Sequence, residues 1–420
     1  MEAIEAVPVR LSRNRNYNIL WTSLLLSELN TALVAVAFPL FVLATTGSAL
    51  QLSLVATVLA ATAMVANVPA GVAADRWNRK AVMLVCQAAR VLAMTSLAVT
   101  LLLGGASFPH LLAVAAVEGL AGAVFAPAED AALPQVVPAD QLSKAIARNT
   151  SRPYLANLVG PALAGLTFGV HPVLPFALTA VLLAGSCVTL LFLVLPPRTP
   201  SSEETETGFG RDVGHGFRWV FGHRVIRSTL VWLVFNQLFF SALVIIVLFV
   251  SGEQDVAPGE TGLMMAFFGA GGILGAVFAS RLVDRLPGSV IVIGFSFVGA
   301  GLTALMALVP AGLPLGLVLA ATAFFVPLAV TTVMTYQMVV TPDDLRGRLS
   351  GIVGLCAEGA GALGPLAGGL LLILLGGAGR TALLVCAVSL GVVALGSLAS
   401  PALRRFPSVR EVPEDDAGQQ

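Results

Sequence analysis

Four ionisable side chains interrupt long apolar runs: Glu28, Arg90, Glu118 and Glu358. A charge inside a bilayer is costly unless it faces a partner or a water-filled cavity, so each is a candidate functional group. At about 1.5 Å rise per residue, each lies roughly 12–17 Å from the nearer end of its run, close to the bilayer midplane. A carboxyl at that depth could load and release a proton, or attract a cationic solute. Exchange of those two ligands at one site is the simplest chemistry available to the set. The competing reading is a permanent structural pair, Arg90 with Glu28 or with Glu118, that keeps helices in register. Asn30, Asn236 and Gln237 are neutral polar residues in the same kind of run, suited to lining a cavity or to bonding between helices.

The elements that must position these groups are membrane-spanning helices. The chain has 420 residues, of which 57% are hydrophobic and 11% charged, with a mean hydropathy of +0.91. Apolar runs long enough to cross a bilayer occur near 17–44, 49–74, 81–104, 110–128, 145–169, 173–195, 225–250, 260–283, 289–309, 313–339, 348–375 and 381–400. Backbone groups in lipid must be satisfied internally, and the alternation of a barrel strand is missing, so the expectation is all-α with twelve spans. Twenty-one of the 23 Lys and Arg fall on one side of this map; Arg380 falls on the other and Arg90 lies within a span. The bias toward basic cytoplasmic loops therefore places both ends of the chain in the cytoplasm. Trp21 and Trp232 fall near the inner ends of their spans, where interfacial aromatics belong.

The chain repeats itself. Gly71-Val-Ala-Ala-Asp75-Arg76-Trp-Asn-Arg79-Lys80 has a weaker copy in Ser280-Arg281-Leu-Val-Asp284-Arg285. Phe125-Ala-Pro127 recurs as Phe325-Val-Pro327, and Gly160-Pro161 as Gly364-Pro365, all at offsets between 200 and 211 residues. Two parallel six-span halves are the simplest architecture. The expected division is 1–195 for the first half, 196–224 for a cytoplasmic linker, 225–400 for the second half and 401–420 for a disordered acidic tail.

These residues resemble the major facilitator superfamily. Gly71, Asp75, Arg76, Arg79 and Lys80 match its signature in the loop between spans 2 and 3. Thr46-Gly-Ser48 and Phe125-Ala-Pro127-Ala…Leu133-Pro134 look like its twelve-span drug:proton antiporters, nearest the macrolide-efflux and enterobactin-exporter group. Gly160, Pro161 and Gly165 resemble the antiporter motif of span 5, with a fuller version at Gly364, Pro365, Gly368 and Gly369 in span 11. The resemblance implies the two-half fold and secondary active transport in a bacterial inner membrane, with the proton as coupling ion and no other cofactor. It implies a cytoplasmic latch made by Asp75, Arg76 and Arg79, with Glu129 or Asp130 as partner and Asp284 and Arg285 in the repeat. It further implies a cavity lined by spans 1 and 4, which makes Glu28 and Glu118 the preferred coupling pair, and a proton seal at the Gly-Pro motifs. Aromatic and Met side chains of spans 7, 8 and 10 would supply an adaptable apolar pocket.

Other classes find no support. Formal net charge is zero, so no basic patch points to nucleic acid. Neither lysine follows a glycine, so there is no phosphate-binding Gly-Lys-Ser/Thr loop; His-Glu-x-x-His and Gly-x-Ser-x-Gly are missing too. The four His lack metal-ligand spacing, and the four Cys lie in spans. The expectation is a proton-coupled exporter of amphipathic small molecules such as macrolide-like drugs, working as a monomer in the lipid bilayer. A dedicated exporter of one metabolite such as a siderophore, or a metabolite importer or facilitator, is the alternative.

Overall fold

The computed structural model describes residues 11–105, 107–195, 218, 220–283, 285–341, 343–404 and 406; within these, the side chains of 68, 69, 71–76, 139, 140, 143, 147, 280, 343, 344 and 346–348 are set aside. Twelve of its helices are long and apolar enough to cross a membrane. They are α1 (Arg15–Thr46), α2 (Ala49–Arg76), α3 (Arg79–Leu102), α4 (Phe108–Val136), α6 (Arg152–Val170), α7 (Leu174–Leu191), α8 (Arg224–Glu253), α9 (Pro258–Val283), α10 (Gly288–Leu308), α11 (Leu313–Val340), α12 (Asp343–Leu374) and α13 (Gly379–Ala399). Two short helices, α5 (Ala139–Asn149) and α14 (Pro401–Arg404), lie between or after spans. Most of the expected linker, the tail beyond Phe406, and Asp284 lie outside the described residues, as do the side chains of Gly71, Asp75 and Arg76.

Local signals set several boundaries. Asn14 and Asn78 accept hydrogen bonds from the backbone of Tyr17 and Ala81 (3.1 and 3.2 Å), satisfying donors that the first turns of α1 and α3 leave open. Gly47 ends α1 in the left-handed conformation at φ +60°, which a side chain would strain. The run expected from 145 to 169 is not one helix. Pro153 has no N–H to give the carbonyl of Asn149, so α5 stops there and α6 begins at Arg152 with proline in its first turn. The start of the expected tail is ordered as well: Pro401–Arg404 forms a turn of helix, and Phe406 is buried with its ring 4.6 Å from that of Tyr336.

The spans pack as two bundles of six, α1–α7 without α5 and α8–α13. The bundles meet through α6 against α9 and α12 against α2. Because the spans alternate, the ends of α1 and α13 nearest the chain termini share one face, here the near face. The apolar core is divided unequally between the faces. Toward the far face one buried cluster runs through both bundles, from Leu33 and Phe38 through Phe176 to Ile246, Leu315 and Leu383. Toward the near face it splits into separate clusters, one around Tyr17, Met83 and Phe125 and others around Trp232 and Ile226. The bundles are thus joined at the far side and separate at the near side.

Glycine permits that junction. A Cβ on Gly165 would lie 2.7 Å from the Gly262 Cα and 2.8 Å from its nitrogen, so α6 and α9 touch backbone to backbone. Below this, Gly269 meets the Asn157 carbonyl, and then the helices diverge around a cavity of about 440 Å³ bounded by Tyr154, Leu155, Ile273 and Val277.

A Cβ on Gly252 of α8 would lie 3.8 Å from the Leu43 Cβ of α1, the spacing of a disulfide. Leu43→Cys/Gly252→Cys, with the four native cysteines changed to Ser, is therefore expected to cross-link on mild oxidation in membranes and to arrest transport until reduced. Inserted protein that stays uncross-linked would place the two bundles apart at the far face.

Candidate functional site

The first bundle holds a polar network deep among apolar side chains. Arg90 on α3 is 1% exposed and Glu118 on α4 is 3% exposed, and they form an ion pair. Arg90 Nε donates to Glu118 Oε1 at 2.9 Å, and Nη2 bonds the same oxygen. Arg90 Nη1 donates to Ser27 Oγ (2.5 Å) and Gln87 Oε1 (3.2 Å), and Nη2 reaches Thr31 Oγ1 at 3.3 Å. Asn30 donates to Glu118 Oε1. Gln87 in turn donates to Ser186 Oγ at 2.7 Å, and Ser186 shares a 2.7 Å hydrogen bond with Ser23. Four spans, α1, α3, α4 and α7, are stitched together here. Of the two partners open to Arg90, Glu118 is the one it takes. All of these bonds to Glu118 fall on Oε1; its Oε2 is buried and makes none. An ion pair held in this way is a fixed structural element, because breaking it leaves a charge without compensation.

Glu28 is arranged differently. It pairs with no Lys or Arg among the described residues, and its Oε2 is buried without a hydrogen bond. It lies beside Ser27 of the network, on the wall of a cavity of about 680 Å³ that Glu118 also lines and that reaches from mid-membrane to the near face. Leu24, Val34, Leu59, Phe125 and Leu133 make most of that wall apolar; Asp130, Asn149, Thr150 and Arg152 line its near end. Arg152 is 3% exposed and pairs at 3.5 Å with Glu129, which is 1% exposed. Neither Arg152 Nη1 nor either Glu129 oxygen makes a hydrogen bond, so this pair is loose where Arg90–Glu118 is tight. The sequence sorts Arg152 with loop charges. Its burial depends on Glu129, 23 positions earlier on another helix, which no local pattern displays.

The remaining residues separate into several places. Asn236 donates to the Trp232 carbonyl of its own helix at 2.8 Å, and Gln237 lies beside Gly361 where α8 meets α12. Glu358 is exposed and accepts a 2.7 Å hydrogen bond from Asn67, linking α12 to α2 across the bundles. Arg79 donates to the Ala131 carbonyl at 2.5 Å, and Lys80 to the Leu191 and Leu193 carbonyls at 2.8 and 2.7 Å, binding the α2–α3 turn to the first bundle. Asp130 and Arg285 are exposed. The aromatic residues of α8, α9 and α11 stack largely on one another, as Phe240 does on Phe268 at 5.1 Å and Phe324 on Phe325 at 5.3 Å, and line none of the 680 Å³ cavity.

The Gly-Pro motifs divide their work identically in the two halves. Gly160 packs on α1 and Gly364 on α8 within their bundles, while Gly165 and Gly369 reach across, to Gly262 of α9 and to Ser53 of α2. Pro161 and Pro365 lie inside α6 and α12, and Gly368 meets the Ala242 carbonyl.

Glu118→Gln should leave Arg90 as an uncompensated buried cation and cost about 3–5 kcal/mol. The expected outcome is a marked drop in melting temperature of the purified protein, largely recovered in Arg90→Met/Glu118→Leu. Equal stability of Glu118→Gln and wild type would deny the pair its structural role.

The chain matches the model of the transmembrane secretion effector family over residues 8–416. It is 30% identical over 358 residues to the multidrug efflux pump Tap of Mycolicibacterium fortuitum, covering 80% of this chain and 83% of that one. It is 25% identical over 405 residues to the enterobactin exporter EntS of Salmonella typhi, with 94% of each chain covered. Among solved structures, a bacterial homologue of the human lysosomal transporter Spinster superposes with a TM-score of 0.73 at 17% identity, over 96% of this chain and 99% of that one. A D-xylose–proton symporter superposes with a TM-score of 0.67 at 14% identity, over 94% and 98%. These likenesses give the two-bundle fold, a multi-pass membrane protein and a transporter rather than an enzyme. The chain belongs to the transmembrane secretion effector family of the major facilitator superfamily.

Proposed function

We propose that the protein exports amphipathic, mostly apolar small molecules by proton antiport, with Glu28 as the coupling carboxylate. The observation that carries this reading is the buried Glu28 Oε2, with no hydrogen bond and no basic partner among the described residues, on the wall of a mostly apolar cavity. A carboxylate without a hydrogen bond in such surroundings is costly, and either a proton or a cationic solute relieves that cost. The two ligands therefore compete for one oxygen, which is the condition for exchange. Glu118, preferred equally on sequence grounds, has Arg90 as a permanent counter-charge and has less need of a proton.

The basic bias of the near-face loops makes that face cytoplasmic, in a bacterial inner membrane. On that orientation the cavity receives substrate from the cytoplasm. Substrate binding displaces the proton from Glu28 toward the cytoplasm; after the bundles part at the far face, a proton from outside takes the oxygen and releases the substrate. The close glycine contacts at Gly165–Gly262 and Gly369–Ser53 would be the seam that opens. Asp75, Arg76, Arg79 and Lys80 would secure the opposite face in the alternate state. The nature of the cavity wall, more apolar than a sugar site, supports drug-like substrates, as does the likeness to Tap. The likeness to EntS along nearly the whole chain favours a second substrate class, a siderophore-like natural product.

Everted vesicles energised by a proton gradient and offered a macrolide, a tetracycline and a cationic dye give the test. Wild type is expected to accumulate at least one of them. Glu28→Gln should lose gradient-driven accumulation by tenfold or more while retaining downhill exchange. Gradient-driven accumulation that survives in Glu28→Gln would remove Glu28 from coupling.

A further inference from the structure

On the outer side of the second bundle, a groove of about 640 Å³ runs between α8 and α13. Its apolar walls are Trp232, Phe235 and Phe239 of α8 and Val392 and Val393 of α13. Val231, Phe235 and Val392 are 47%, 46% and 64% exposed, so the groove faces lipid and is separate from the cavity of the first bundle. Its near-face end is polar: Arg227, Ser228 and Ser400 line it, and Arg227 is the one charged residue in the lining. Arg224 and Arg404, both exposed, lie at the same ends of α8 and α14. From Arg227 to Phe239 the groove follows twelve residues of helix, about 18 Å, which is one leaflet of a hydrocarbon core about 30 Å thick together with its headgroup boundary.

We propose that this groove holds one anionic phospholipid from the leaflet at the near face. Its phosphate sits on Arg227, which spends one Nη1 donor on the Phe221 carbonyl at 3.1 Å and keeps further guanidinium donors for a ligand. Ser228 and Ser400 offer hydroxyls at the same depth, and one acyl chain lies along Phe235, Phe239 and Val392. A basic pocket between helices at the cytoplasmic boundary is the physical pattern for anionic headgroups. A zwitterionic headgroup would bring its own cation to Arg227, which sets the preference. The bound lipid would brace α13 and the α14 turn against α8, since Leu403 of α14 closes the near end of the same groove.

Trp232 provides the reporter. It is fixed in the groove wall, its Nε1 donating to Ser296 Oγ at 2.8 Å and its ring edge-on to Phe295 at 5.6 Å. In full-length protein with Trp21, Trp77 and Trp219 changed to Phe, phospholipids brominated on the acyl chain are titrated into detergent solution. Brominated phosphatidylglycerol should quench Trp232 at about fivefold lower mole fraction than brominated phosphatidylcholine, the factor expected from one basic residue at an anionic headgroup. Arg227→Gln should abolish that difference. Gly396→Leu, whose added Cβ would meet no protein atom within 4 Å, fills the groove and should weaken quenching by both lipids. Equal potency of the two lipids on the parent protein, unchanged quenching in Gly396→Leu, or displacement of the lipid by a transported dye would each overturn the assignment.

Discussion

Water is scarce between the two faces of this molecule, and that scarcity decides the fate of every charge placed there. An ion without a partner in such surroundings costs several kcal/mol even after relaxation. Arg90 and Glu118 meet the cost by bonding each other and four further polar groups, Ser27, Asn30, Thr31 and Gln87, the last of which bonds Ser186 in turn. The network holds four helices of the first bundle in register. Glu28, next to Ser27 on α1, has no basic partner among the described residues to offset its buried oxygen. A group held in this way can exchange one compensating ligand for another, whereas a carboxylate locked in an ion pair cannot without breaking the bundle. The difference between the two carboxylates is thus one of wiring, since their residue type and depth are the same.

The second constraint is contact between the bundles. Lipid gives helices no hydrophobic reason to associate, so packing depends on close approach, and small residues provide it. Gly165 against Gly262 and Gly369 against Ser53 are related by the same internal repeat, which lets the two bundles meet along two equivalent seams. Both seams are tight toward the far face and loosen toward the near face, where the core divides into separate clusters. A continuous core at one face and a divided core at the other is the geometry of a molecule closed on one side. The cavity beside Glu28 lies on the divided side.

Much of this was legible in the residues, and the exceptions share a cause. The twelve spans follow from run length and hydropathy, and the two bundles follow from the repeat. The break before Arg152 rests on Pro153 and on the polar stretch 148–152, which spans the turn between α5 and α6. Arg90 and Glu118 stood out as midplane charges, yet their pairing depended on which helix faces which, and the sequence left two partners open. Arg152 was hidden more completely, because position in the chain makes it a loop cation and only the fold brings it to Glu129. Gly165 and Gly369 were recognisable as motif glycines, but Gly160 and Gly364 look the same in sequence and turn inward to their own bundles. Properties carried by one helix can be read along the chain; those requiring two helices cannot.

The central claim is that Glu28, and not Glu118, carries the exchangeable proton. Infrared difference spectroscopy of the protein reconstituted in membranes, with pH as the perturbation, addresses it without reference to transport. A carboxyl C=O band that appears on acidification, vanishes on substrate addition, persists in Glu118→Gln and is missing in Glu28→Gln is the predicted result. A band that survives Glu28→Gln and is lost in Glu118→Gln would contradict the account and return the proton to the Arg90 network.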